Sequence, residues 1–380
     1  MAGCEARPAG CRWPAGVGRL DEVSRGVGLK IRDLALALAA LAALAGAAAA
    51  TPAPTDLIAV PAVRSDHVPA RTPWGDPDLR GTWPLQNVND ARIPLQRPAE
   101  LGTRTWLTDE EFAERLKRAE QSDAEFSNDL GGDGTVGLAA WLRATPVGRR
   151  TSLLVGPADG RLPALTAPAQ DLYARGRSTW QAAEATDWVS DLDAFERCIT
   201  RGFPAVMLPQ PYNNGIRVFQ SPGYLVLQLE TFGTRVIPIG RAGHWPEPVR
   251  AWHGDSRGRW EADTLVIETT NIVSGDSATE DVTRRAAGPV PGRTLATLPV
   301  GPSAKVTERL TRTGADTIAY RLTYEDPDVF IAPWTVAYEW TRDDGYAIFE
   351  YACHEGNTVR EAITSARALR REAAAAPPAP

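Results

Sequence analysis

The sequence predicts a mainly β protein: an antiparallel β-barrel in the C-terminal half, with a partly helical, irregular N-terminal half wrapped on it. Three observations carry this. From Ile216 to Cys353 about eight β-rich runs follow one another at short spacing, as in a meander that closes on itself. Two links, Gly314-Ala-Asp316 and Asp343-Asp-Gly345, are hairpin signals. Residues Val306, Glu308 and Leu310, and then Ile318, Tyr320, Leu322 and Tyr324, recur with the period of two that places one set of side chains on one face. Hydrophobic residues make up 43% and charged residues 23%, which excludes a largely disordered chain and a multi-span membrane protein.

The elements follow in chain order. Leu34–Ala50 (LALALAALAALAGAAAA) behind Lys30, Arg32 and Asp33 has the charged, apolar and small-residue zones of a secretory signal peptide. We expect a signal over about residues 29–50, cleaved near Ala50 or Ala53, with the stretch before it a leader from a start assigned too early; a retained N-terminal anchor is the alternative. Residues 51–73 read as a Pro-rich arm, and 74–372 as one domain. Asp78–Trp83 looks like a first strand. Thr108-Asp-Glu-Glu111 opens a helix to about Gln121 with a capping-box pattern. Asn128–Gly137 reads as a loop, Thr151–Val155 as a strand, Pro168–Glu184 as a helix and Asp191–Ile199 as a shorter one. Strands are expected at Ile216–Gln220, Tyr224–Thr231, Thr234–Ile239, Val249–His253, around Trp260, Thr264–Asn271, Lys305–Thr313, Thr317–Glu325, Trp334–Arg342 and Tyr346–Cys353. Between them 274–303 is a Gly/Pro/Thr/Arg-rich loop insertion of the length used for lids. A helix follows from Asn357 to Arg371, and 373–380 is a disordered tail.

The formal charge of -6 argues against a general nucleic-acid binder, which needs a basic excess for phosphates. Removing the first fifty residues, with six basic and four acidic groups, moves the charge to about -8. Lysine occurs only at Lys30, Lys117 and Lys305; we read the arginine surplus as codon composition. Four cysteines become two, Cys198 and Cys353, an even pair in an exported chain. A disulfide between them is expected, worth about 4–5 kcal/mol in the chain-entropy account, with two free thiols as the alternative.

Histidine is scarce: His67, His244, His253 and His354. Acid–base catalysis needs a His or carboxylate with a tuned pKa at a cavity mouth, so His244, Asp255, His354, Glu355 and Glu230 are the catalytic candidates. Glu230 ends an apolar strand and should therefore have a partner, for which Arg217 and Arg235 are placed. Tyr212, Asn213 and Asn214 offer donors for a polar ligand, or a turn that uses Asn in the left-handed region. Of twelve tryptophans, Trp83, Trp260, Trp334 and Trp340 fall in strand patterns and should be interior, whereas Trp245 and Trp252 flank the histidines and are assigned with Arg217 to substrate binding. No HExxH or CxxC spacing supports a metal site, so none is assigned. No Gly-x-Ser-x-Gly elbow, Walker A or Gly-x-Gly-x-x-Gly occurs, so neither Ser nucleophile chemistry nor a nucleotide cofactor is expected, and no cofactor is assigned.

Gly81-Thr-Trp83 resembles the Gly-x-Trp opening of lipocalin-like barrels, and Gly258-Arg-Trp260-Glu-Ala-Asp263-Thr-Leu-Val266 resembles a strand–turn–strand run of small lipocalin-like domains. Pro73–Asp78, Arg197–Gly202, Pro211–Asn214, Gly254–Gly258, Trp260–Asp263 and Tyr351–Asn357 together resemble a large group of exported bacterial proteins, mostly without an assigned activity. That resemblance implies export and the joint presence of the two cysteines, and supplies no activity. The resulting expectation is a periplasmic or secreted enzyme acting on a small apolar, aromatic or glycosidic molecule by His/carboxylate chemistry, as a lyase, isomerase/cyclase or hydrolase. A non-catalytic carrier of a small hydrophobic ligand is the alternative. The partner is a small molecule, with no nucleic acid and no stable membrane anchor after signal cleavage; oligomeric state is left open.

Overall fold

The structure is a computed structural model that describes residues 52–60, 63, 66–85, 92–129, 147–175, 197–200, 202–209, 213, 215–231, 233–241, 243–273 and 300–355. The signal peptide, residues 130–137 of the Asn128–Gly137 loop, residues 176–184 of the Pro168–Glu184 helix, residues 191–196 of the short helix, Tyr212, Asn214, most of the 274–303 insertion, the 357–371 helix and the tail lie outside the described residues.

The fold is mainly β. Ten strands are described: β1 Gly81–Pro84, β2 Leu154–Gly156, β3 Gly215–Ser221, β4 Tyr224–Leu229, β5 Thr234–Pro238, β6 Asp255–Glu261, β7 Thr264–Thr270, β8 Lys305–Gly314, β9 Thr317–Glu325 and β10 Trp334–Thr341. They form two antiparallel sheets, of order β1-β3-β4-β5 and β2-β10-β9-β8-β7-β6, rather than one closed ladder. Two contacts tie the sheet edges. Gly240 N donates to Gly258 O at 2.8 Å beside a parallel bridge of Ile239 to Gly258, and Asp343 N donates to Thr82 O at 2.9 Å. Beyond β10 the six-stranded sheet ends on β2, which pairs with it at Thr335 and Val336.

The expected strand Tyr346–Cys353 is absent, although the Asp343-Asp-Gly345 turn forms with Tyr346 N donating to Asp343 O at 3.1 Å. Beyond the turn the chain is instead held by the other sheet, where the Glu230 carboxylate accepts the Tyr346 hydroxyl at 2.8 Å and the Phe349 amide at 3.1 Å. Val249–His253 is likewise no strand; only Ala251 bridges, to Ile272.

Alternation decides what lies inside. Trp334, Val336, Tyr338 and Trp340 of β10, Ile318, Tyr320, Leu322 and Tyr324 of β9, and Leu225, Leu227 and Leu229 of β4 all point into one buried core with Trp83. Trp340 stacks on Tyr320 with centroids 4.8 Å apart. Trp260 is half-buried against this core rather than interior.

The N-terminal half holds α1 (Asp109–Asp129) and α2 (Ala167–Arg175). The capping box at α1 is reciprocal: Glu111 N donates to Thr108 Oγ1 at 3.2 Å, and Thr108 N donates to Glu111 Oε2 at 2.9 Å. The helix runs past the expected Gln121 because Gln121–Asp129 contains no Gly or Pro to stop it. Loops around the helices are wired by buried arginines. Arg97 donates to Ala158 O at 2.7 Å, and Arg115 donates to Gly148 O at 2.7 Å. A planar fork with five donors suits several carbonyls at once, so these arginines have a packing role beyond codon composition.

Candidate functional site

The loop between β5 and β6 carries His244 and Trp245, and β6 opens on Asp255. Gly254 must be glycine: its φ is 68°, and a Cβ there would sit 2.5 Å from Thr270 O. This backbone turn aims Asp255 back under the loop. The loop is held by Asn271 Nδ2, which donates to Pro246 O at 3.1 Å and Val249 O at 3.0 Å, and by Arg257 Nε, which donates to Gly243 O at 2.8 Å.

Asp255 is buried, and both of its oxygens are engaged. Oδ1 pairs with an Arg257 amino group at 2.8 Å. Oδ2 accepts the Trp245 amide at 2.9 Å and lies 3.0 Å from His244 Nδ1. Geometry therefore assigns the proton to Nδ1, leaving the Nε2 lone pair with no partner among the described residues. The His244 side chain is 27% exposed, and Trp245 beside it is 41% exposed. A carboxylate that fixes the tautomer of a reachable imidazole makes that imidazole a competent general base.

The other sequence-predicted residues do not join this pair. Glu230 is buried, and its partners are neither Arg217 nor Arg235. It accepts Gly215 N at 2.7 Å, Tyr346 OH at 2.8 Å and Phe349 N at 3.1 Å, so it clamps the end of β4 to the chain after β10. Arg217 Nε donates to Thr82 Oγ1 at 3.3 Å between β3 and β1. Asn213 has φ 52° and its carbonyl accepts Thr231 Oγ1 at 2.7 Å, a turn geometry. Cys198 and Cys353 are bonded, with Cα atoms 5.6 Å apart. The bond sets His354 and Glu355, both exposed, next to the 197–200 segment, where Arg197 lies 5.5 Å over the Trp252 ring. No hydrogen bond or ion pair among the described residues links them to His244 or Asp255. His253 Nε2 lies 2.7 Å from Thr200 Oγ1; burial first, and then Arg235, push its pKa down to about 4. Among the described residues no group of three or more His, Cys, Asp or Glu side chains is placed to hold a metal.

A second polar cluster escaped the sequence reading. Arg235 and Glu308 form an ion pair at 2.6 Å with side chains 1% and 0% exposed. Arg235 also donates to Ser256 Oγ at 3.1 Å, and Tyr320 OH donates to Glu308 at 2.7 Å. The signal was the phase: Glu308 is in step with Val306 and Leu310, and Arg235 with Ile237, so both had to face inward.

No family model, no curated protein and no solved structure matches the chain. No described helix is long and apolar enough to cross a membrane.

Proposed function

We propose that the protein is an exported enzyme that acts on a small aromatic or glycosidic molecule by acid–base chemistry, with His244 as the base. One observation carries the reading: Asp255, itself anchored by Arg257 and the Trp245 amide, holds the part-exposed His244 through Nδ1 and leaves Nε2 without a partner among the described residues. In this reading Nε2 removes a proton from the substrate or from an attacking water, Asp255 stabilises the imidazolium that forms, and the exposed Trp245 ring supplies a stacking face. Export is supported by the leader pattern, by the motif resemblance and by the disulfide. We read the two edge-tied sheets as a flattened barrel of lipocalin-like kind. A carrier holding its ligand between the sheets finds less support, because Trp83, Trp340, Tyr320 and the Arg235–Glu308 pair occupy that space.

The test is turnover of a panel of p-nitrophenyl glycosides and aryl esters. One class should be turned over, and His244→Ala and Asp255→Asn should each lower kcat at least ~100-fold, the scale of a lost general base. Glu355→Gln should leave the rate unchanged. Equal rates in the wild type and His244→Ala would reject the site.

A further inference from the structure

We propose that the outer face of the six-stranded sheet is a binding groove for an acidic saccharide, a hydroxylated molecule that carries a carboxylate or sulfate. The groove has a volume of about 870 Å³, within the span of small-molecule sites. Its floor is the outward side of β7 to β10, and its wall is Trp106 with Arg149 and Arg150 from the N-terminal half. It shares no lining residue with His244 and Asp255, so this inference and the proposed enzyme stand or fall separately.

Charge identifies the ligand class. Arg149, Arg150, Arg309 and Arg321 line the groove with one lining carboxylate, Glu339, while Asp109 behind the wall pairs with Arg149 at 2.7 Å. This concentration of cations belongs to a chain whose formal charge is -6. Arg309 and Arg321 stand directly opposite each other across β8 and β9, a like-charge placement that costs stability. Arg309 is relieved by Glu261 at 2.8 Å. Arg321 is exposed and has no hydrogen bond or ion pair among the described residues. Arg150 spends its amino groups on the carbonyls of Ala337 and Leu153, while its Nε is buried without a partner. Burial, reinforced by Arg97 and Arg321, lowers the Arg150 pKa to about 10. Arg321 is thus the guanidinium left to donate paired, charge-assisted hydrogen bonds to an oxyanion, with the other three arginines adding a positive field behind it.

The remaining lining separates a sugar acid from a fatty acid. Thr264, Thr311, Thr313 and Thr317 present a row of hydroxyls along the floor, each able to donate and accept. Two of these pairs are already hydrogen-bonded, Thr264 with Thr311 at 2.7 Å and Thr313 with Thr317 at 3.2 Å, which fixes their geometry. Trp106 offers an indole on the wall while its Nε1 is anchored on Ala59 O at 2.8 Å.

Titration calorimetry of the full chain at low ionic strength tests this with four probes: a hexuronate disaccharide, a sulfated disaccharide, a neutral disaccharide of the same size and inorganic sulfate. An acidic disaccharide should bind at least ~10-fold tighter than the neutral one and weaken as salt screens the guanidiniums. Arg321→Gln should lower that affinity ~10-fold, the scale of one lost charge-assisted bond, with an unchanged near-UV spectrum. Arg321→Glu should abolish binding yet raise the unfolding midpoint, because it places a carboxylate opposite Arg309. Absence of binding, equal affinity for acidic and neutral sugars, or no effect of Arg321→Gln would overturn the proposal. Inorganic sulfate binding as tightly as the acidic disaccharides would overturn its saccharide part.

Discussion

Two polar pairs in this protein, each built on a buried carboxylate, reach opposite ends. Arg235 and Glu308 lie between the sheets, and the groups around them, Ser256, Thr269 and Tyr320, are spent on that pair. His244 and Asp255 lie where a loop meets the start of a strand, and only the carboxylate is buried. The difference teaches that burial decides whether a polar pair can act. The interior pair spends both guanidinium amino groups and both carboxylate oxygens on each other and excludes substrate, whereas the loop pair keeps one nitrogen available because only its anchor was buried.

The largest test of that contrast is Glu308→Ala. It strands a buried guanidinium, and breaking such a pair costs roughly 3–5 kcal/mol. A fall in the urea midpoint of that scale is expected, and a loss below ~1 kcal/mol would break the comparison. Next comes His253, a half-buried imidazole near Arg235 with no ion-pair partner among the described residues. Its native pKa of about 4 lies below the ordinary 6.5, so the native state binds fewer protons than the unfolded chain. Its contribution is fully present above pH 6.5, is lost as the pH falls from 6.5 to about 4, and stays lost below that; the amplitude is on the order of 3 kcal/mol. Urea midpoints of wild type and His253→Leu, followed from pH 7 to 4, should show the acid slope reduced in the variant. The smallest effect is His244→Ala. Asp255 keeps Arg257 and the Trp245 amide, so stability should change by no more than about 1 kcal/mol while the proposed activity is lost. A large destabilisation would make the imidazole a structural brace.

Legibility divided along the same line. The capping box at Thr108 and Glu111, the β8–β9 hairpin, and the inward set on β9 were readable because each rests on residues a few positions apart. His244 and Asp255 were each named as candidates, but their union needed the glycine turn at Gly254 and the loop held by Asn271. Glu230 was read as needing a partner, and the partner came from Tyr346 and Phe349, more than a hundred positions away, which no local pattern specifies. The hairpin signal at Asp343–Gly345 predicted the turn correctly and the returning strand wrongly, because the chain after the turn bonds to Glu230 of the other sheet through Tyr346 and Phe349.

By itself the sequence determined the mainly β class, the side of each strand that faces the core, and the cysteine pair available for bonding. Those follow from periodicity and composition, which act over a few residues or over the whole chain. Tertiary structure alone decided that the strands divide into two sheets, that Arg235 meets Glu308 across 73 positions, and that four arginines gather on one outer face. Strand pairing and edge occupancy are non-local competitions, and their outcome depends on which segments reach an edge first in space rather than in sequence.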